Sequence, residues 1–317
     1  MTTSAMLIHL LRCPRCRAEF GPAADAPSAL LCQGCGSTYP VENGVPRLAG
    51  ERYAASFGRQ WNRYDVARDE EDETTFAVKT GIAPRDLEGL LVLDAGCGGG
   101  RYARQVGQTG ARVVGVDLSS AVEKAAALCA DLPDVAIVQA DLLDLPLAEG
   151  AFDLAFSIGV MHHSPDPRRA FAQVAARVKP GGRLAVWLYR RNTPPQEWLN
   201  TALRAITTRL PARALEVGCV GLGAIGGVPV LKQTLNKVAN FSNHPDWTLR
   251  VCDNFDWYAP RYQSHHTVAE LEGWFRAEGF DDLRVLLPAK SGRLYDWAYH
   301  HDLLIGSGVN VVGRKRS

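Results

Sequence analysis

No stretch of this 317-residue chain approaches the roughly 20 uninterrupted apolar residues that a helix needs to cross a bilayer. The longest candidate, Val217 to Leu231, carries five glycines and a proline, so no membrane association is expected. The amino terminus lacks a basic start. Its apolar run stops at Arg12-Cys13-Pro14-Arg15-Cys16, which argues against a secretory signal and for a cytoplasmic protein. Excess charge of either sign is missing, since 35 Lys and Arg face 34 Asp and Glu. A broad phosphate-binding surface is thereby disfavoured, and nucleic acid is not the expected partner. Low-complexity tracts and internal repeats are absent, and a 46% hydrophobic content excludes a disordered or collagen-like chain. The length exceeds one typical domain, which implies a large core plus something small.

Cysteine is present in a telling pattern. Four of the eight fall as two pairs, Cys13-Pro-Arg-Cys16 and Cys32-Gln-Gly-Cys35, fifteen residues apart. This is the spacing of a four-thiolate Zn2+ site built from two tight turns, a different usage from the disulfide framework of a small secreted domain. Residues 1–50 are short on helical periodicity and rich in Cys, Gly and Pro. Too little apolar area is available there to fold unaided, so a structural metal is expected to staple a small separate module. Cys97, Cys129, Cys219 and Cys252 stand singly and read as buried apolar residues.

Residues 51–85 read as a linker or an amino-terminal helix. Phe57, Trp61 and Tyr64 follow helical spacing and could close over a ligand or simply dock on a sheet. The acidic run Asp69 to Glu73 reads as a solvated face. From residue 86 to 317 apolar runs of four to seven residues alternate with helical patterns. Strands are expected at Leu90–Leu93, Val113–Val116, Val135–Gln139, Phe152–Ile158, Arg183–Tyr189, Leu283–Leu287 and Val309–Gly313, with helices such as Arg168–Val178 and Val268–Glu278 between them. The pattern specifies an α/β fold with a doubly wound, mostly parallel sheet covered on both faces. Residues 192–263 break the rhythm and read as a helical insertion, a lid or pocket.

In such sheets ligands bind at the carboxyl ends of the strands. The first strand ends in Asp94-Ala-Gly96-Cys-Gly98-Gly-Gly100-Arg101, a bare loop that a ligand can approach closely. A dinucleotide fingerprint is missing, because Arg101 stands three residues after Gly98. The second strand ends in Asp117, placed to accept both hydroxyls of a ribose, and the third leads to Asp141, placed to take an adenine amino group. Asp94 could instead be a turn residue and Asp141 a helix cap.

With these residues in order, the chain resembles the class I S-adenosylmethionine-dependent methyltransferases (methyltransferase type 11-like). Val92-Leu-Asp94-Ala-Gly-Cys-Gly-Gly-Gly100 is similar to their first motif, Val116-Asp117 to their ribose-binding acid and Ala140-Asp141-Leu142 to their adenine-binding segment. Phe152-Asp153 with Ser157-Ile-Gly-Val-Met-His162-His163 is similar to their fourth motif. The resemblance implies a seven-stranded Rossmann-like sheet and S-adenosylmethionine as cofactor. Gly96, Gly98 and Gly100 would lie at its methionine part, Asp117 at ribose, Asp141 and Leu142 at adenine, and Ser157 or Ile158 at the methyl group, with Asp94 and Leu118 also among the cofactor-binding residues.

Methyl transfer from a sulfonium needs alignment first and a base second. His162 and His163 are the candidate bases, though either could merely pack. Tyr258, Tyr262 and His265, in an aromatic-rich stretch before Val268, would line an acceptor pocket or form a satellite core. His244, His300 and His301 have no ligand partners at recognisable spacing and read as surface residues. The expected activity is methyl transfer to an O, N or S nucleophile of a small-molecule acceptor. The competing reading, an RNA base methyltransferase, meets two obstacles: Leu11–Leu48 holds only four basic against three acidic residues, and an Asn-Pro-Pro-Tyr-type signature is missing after the fourth strand. Non-methyl transfer or cyclisation with the same cofactor is a further alternative. The amino-terminal module also resembles zinc-ribbon activator subunits of methyltransferases, which would make it a docking site for a protein partner.

Overall fold

The computed structural model describes residues 5–22, 28–50, 53–63, 69–191, 194–228, 242, 244–287, 292–301 and 308–317. Two sheets organise them. The small one comprises β1 (Phe20–Pro22), β2 (Ala29–Cys32), β3 (Thr38–Glu42) and β4 (Val45–Pro46), an antiparallel meander in chain order. The large one comprises β5 (Leu91–Ala95), β6 (Arg112–Asp117), β7 (Val135–Gln139), β8 (Phe152–Ile158), β9 (Val178–Leu188), β10 (Phe280–Val285) and β11 (Val309–Lys315). Its order is β10-β11-β9-β8-β5-β6-β7, and only β11 runs antiparallel to its neighbours.

Side-chain alternation builds a core on each face of this sheet. Along β5, Leu91, Leu93 and Ala95 join one cluster with Val114 and Val116, whereas Val92 joins the other with Val113, Leu154 and Phe156. Burying each such Val or Leu contributes roughly 1.5–3 kcal/mol, which is why the strands read as continuous apolar runs. The helices start where side-chain oxygens satisfy free amides. Asp166 caps Pro167–Arg177, with Pro at the first turn, and Thr267 caps Val268–Ala277. Strand order reverses beside β5, between β8 and β6, and this places the crevice for a ligand over the end of β5.

Three features differ from the sequence reading. The amino-terminal module is not separate: Leu7, Leu11, Phe20, Leu30 and Leu48 belong to the same apolar cluster as β5 and β6. It also covers the edge of the large sheet, because the Leu48 N–H donates to the Gln139 carbonyl at 2.9 Å beside an Arg47–Gln139 parallel bridge. An uncovered β7 edge would expose unpaired backbone. Residues 51–85 carry the expected helix, as Ala55–Arg63 and Asp69–Thr80, but the acidic run is not wholly solvated. Asp72 shares a helix face with Phe76, and both are buried against the Arg101–Gly107 helix, where Asp72 accepts from Arg101 at 3.3 Å. A helix at Arg293–His300 adds to the expected elements. Tyr64 lies outside the described residues. Among the described residues no helix is long and apolar enough to cross a membrane.

Candidate active site

The end of β5 is shaped by glycine. Gly96, Gly98 and Gly100 have φ of 94°, 51° and 87°, a region other residues rarely enter. A Cβ on Gly96 would stand 2.3 Å from Val160, and one on Gly100 would stand 2.8 Å from the Ala125 backbone. The Gly98 N–H donates to Asp117 Oδ2 at 2.9 Å, and Asp117 Oδ1 accepts from the amide and hydroxyl of Ser119 at 2.8 and 2.6 Å. Burial raises the Asp117 carboxyl from its ordinary value, although the donors from Ser119 and Gly98 oppose this. Above the loop lies a cavity of about 840 Å³, mouth included, roofed by Phe57 and Trp61 of the Ala55–Arg63 helix. Trp61 packs directly over Gly98, where any side chain would displace it.

The expected cofactor residues divide into walls and supports. Gly96, Gly98, Asp117, Leu118, Leu142 and Ile158 line the cavity. Gly100 lies behind it, where it lets the loop approach Ala125. Asp94 is buried beneath the loop with Oδ2 lacking a hydrogen-bond partner among the described residues, its carboxyl pushed well up by burial and then by Asp117. Asp141 Oδ1 accepts from the Leu143 N–H at 2.9 Å, so it does cap the short turn Leu142–Asp144, and it also accepts from the Tyr53 hydroxyl at 3.0 Å. Ser157 is displaced from the site. Its hydroxyl is fully buried and donates to the Ala95 carbonyl at 2.7 Å, a tie between β8 and β5.

The paired histidines do different things. His162 is fully buried, stacked on Tyr189 at 3.9 Å between centroids, and its Nδ1 accepts from the Tyr189 N–H at 3.3 Å. Burial, then the neighbouring His163, holds it well below the ordinary histidine range. It is a packing residue, and the cavity does not reach it. His163 does line the cavity. Its Nδ1–H donates to the Tyr262 carbonyl at 3.1 Å, which fixes the ring with Nε2 3.6 Å from Asp256 Oδ2. Asp256 also accepts from the Tyr189 hydroxyl. Burial would raise the Asp256 carboxyl, but His163 and its hydrogen-bond donors outweigh burial and hold it below its ordinary value. This chain of Tyr189, Asp256 and His163 escapes sequence reasoning because the three residues are far apart along the chain. Its only trace there is the density of polar and aromatic groups around Asp253 to Tyr262.

Two other candidates fall elsewhere. Tyr258 ends the Trp247–Tyr258 helix in a satellite core with Leu215, Cys219, Val251 and Phe255, so it does not face the cavity. His265 pairs with Glu197 at 2.7 Å and opens on a separate surface groove. The aromatic stretch is thus part core and part groove, and Asp256 is its contribution to the site.

Residues 93–186 match the family described as a methyltransferase domain. Over this stretch the chain is similar to class I S-adenosylmethionine-dependent methyltransferases. Among curated relatives it is 36% identical over 122 residues to a ubiquinone biosynthesis O-methyltransferase of Alkalilimnicola ehrlichii, covering 38% of this chain and 49% of the relative. It is 34% identical over 130 residues to an O-methyltransferase of Aspergillus sclerotiorum, covering 37% and 49%. The chain thus spans about half the length of these relatives. A solved S-adenosylmethionine-dependent methyltransferase from Mesorhizobium loti is similar at 21% identity and a TM-score of 0.44, over 72% of this chain and 92% of that one.

Beside the glycine loop the chain has a second cavity of about 1500 Å³, mouth included, which shares Trp61, Arg101, Ile158, Gly159 and Asp256 with the first. Its walls are aromatic, with Trp187, Tyr189, Trp257, Tyr295 and Tyr299, and Lys79 projects over the Trp187 ring at 4.1 Å. The two chambers therefore meet at the end of β8, where Ile158 and Gly159 stand.

At the amino-terminal sheet Cys13, Cys16, Cys32 and Cys35 bring their four sulfurs within 4.8 Å of one another. Sγ separations of 3.7 Å for Cys13–Cys35 and 3.4 Å for Cys16–Cys32 are near the roughly 3.8 Å edge of a tetrahedral zinc thiolate, so the donor set fits the ion. Cys97, Cys129, Cys219 and Cys252 are buried, and burial pushes the thiols of the last three up to about 12.

Proposed function

We propose that the protein transfers the methyl group of S-adenosylmethionine to an oxygen, nitrogen or sulfur nucleophile of a small molecule held in the second cavity. The observation that carries this reading is the junction of two unlike chambers, a glycine-and-carboxylate cradle opening onto an aromatic room. The cofactor supplies an electrophilic methyl group on a sulfonium, so no leaving group needs activation by the protein. Asp117 would hold the ribose hydroxyls, Leu118 and Leu142 would flank the adenine, and the loop at Gly96–Gly98 would lie under the methionine part. Cys13, Cys16, Cys32 and Cys35 would hold a structural zinc that braces the amino-terminal sheet.

The protein's own work is alignment and exclusion of water. Confinement of the two reactants in joined, roofed chambers can contribute roughly 7–11 kcal/mol of barrier lowering. If the acceptor begins as a hydroxyl or an ammonium, His163 Nε2 is placed to take its proton. The Asp256 carboxylate then stabilises the imidazolium, itself held by the Tyr189 hydroxyl. His162 acts through Tyr189 by packing and backbone contact, as a positioning residue. The O-methyltransferase relatives support a small acceptor, and the near-neutral charge of the amino-terminal sheet supports it against RNA.

Calorimetric titration of the full chain with S-adenosylhomocysteine, the demethylated product, tests the cradle. One site per chain is expected, and absence of binding by folded protein would sink the reading.

A further inference from the structure

The second cavity holds one cation with no hydrogen-bonded acceptor among the described residues, although Asp253 and Asp256 act on it across the cavity. Asp253 accepts from the Ser242 hydroxyl at 2.7 Å, and Asp256 accepts from Tyr189 and faces His163. Arg101 is paired with Asp72. Lys79, on the penultimate position of the Asp69–Thr80 helix, projects its ammonium onto the Trp187 ring, and among the described residues no carboxylate or other acceptor lies within hydrogen-bond distance of it. Trp187 and Asn310 are register partners on β9 and β11 and so share one face of the sheet. Asn310 also lines this cavity, and its side-chain NH2 is of the donor type that an anion needs. Gly308 makes this wall possible, because a Cβ there would fall 2.1 Å from Trp187 Nε1.

Lys79 is half-buried, and an ammonium held there against a ring without a hydrogen-bond acceptor costs free energy unless something fills its coordination. Desolvation indeed lowers Lys79 to about 8, which leaves it mostly charged at neutral pH. Resting on the methyl-transfer reading above, we infer that the acceptor is an aromatic acid, whose ring packs among the aromatic walls and whose anionic group is read by Lys79 with Asn310. Lys79 is on this view a specificity residue at the far wall from the glycine loop. The surrounding carboxylates narrow the choice further: with Asp253 and Asp256 already supplied with donors, a second anion on the ligand would have no cation left to meet it.

The test uses matched probes, 3-phenylpropionate and its neutral amide, titrated into the full chain with and without saturating S-adenosylhomocysteine. The acid is expected to bind at least tenfold more tightly than the amide. Lys79→Met should erase that preference, Lys79→Arg should keep most of it, and Asn310→Leu should reduce it. Lys79→Gln, with its melting temperature measured beside the others, separates lost charge from lost folding. Equal affinities in the wild type, a preference that survives Lys79→Met, or no binding of either probe would each overturn the proposal. Binding of S-adenosylhomocysteine without preference for the acid would leave the cofactor reading intact and remove only this one; failure of S-adenosylhomocysteine itself would sink the former.

Discussion

The two chambers meet at Ile158 and Gly159 yet are built in opposite ways. The floor of the first is the glycine loop with the Asp117 carboxylate, drawn from the turns after β5 and β6. The second is walled mainly by side chains, from the Asp69–Thr80, Trp247–Tyr258 and Arg293–His300 helices and from β9 and β11. Backbone geometry tolerates few substitutions, since glycine at positive φ has no substitute, whereas a side-chain wall can be rewritten one residue at a time. That contrast predicts that mutations in the two chambers will differ in kind.

The sharpest way to break the comparison is at Asp117. Its carboxylate holds both the glycine loop and the Ser119 turn, so Asp117→Ala should weaken S-adenosylhomocysteine binding by about tenfold to a hundredfold, the value of one to two charge-assisted hydrogen bonds. Affinity within twofold of wild type by calorimetry would show that the cradle does not depend on this residue. The acceptor probes should feel the change much less.

A smaller effect should follow from the amino-terminal sheet, which grips only the cradle side. The Arg12 N–H donates to the Pro146 carbonyl at 2.8 Å and Arg17 pairs with Asp144, both around the turn that carries Leu142, while Arg47 pairs with Glu123 at the start of the helix after β6. Cys32→Ser should lower the zinc content from about one per chain and speed amide exchange at residues 139–148, with S-adenosylhomocysteine affinity falling severalfold. Unaltered exchange in a zinc-depleted chain would mean that the ribbon only decorates the sheet edge.

The smallest effect is a pH slope. His162 is held well below its ordinary value in the folded state, so between that value and about 6.5 the unfolded chain binds the extra proton. Stability is therefore full above about pH 6.5 and falls as the pH drops below it, by up to about 1.4 kcal/mol per unit. His162→Phe should flatten the decline in melting temperature between pH 7 and 5. An equally steep decline in the variant would assign it to other groups.

Much of the cradle is legible in the order of residues along the chain. Asp94, the alternate glycines and Asp117 sit at strand ends, and strand ends declare themselves through apolar runs buried on both sheet faces. The two Cys-x-x-Cys pairs are legible for a similar reason, because a chelating turn needs its cysteines close in sequence. Other details are not. Ser157 has the right sequence position for the methyl site but the wrong side of the strand, and Tyr258 stands two residues past Asp256, on the other side of the same helix. Asp72, within an acidic run, is buried because Phe76 lies one turn on and draws the same helix face inward.

The sequence by itself determined the sheet, the glycine loop, the acid at the end of β6 and the thiolate cluster, since each is encoded by residues adjacent along the chain. Only the tertiary structure decided that His163 rather than His162 faces the cavity, that Asp256 and Tyr189 stand behind it, and that Lys79 meets Trp187. Those contacts join residues 67 to 108 positions apart. Such long-range meetings depend on how helices and strands pack, and no local spacing records them.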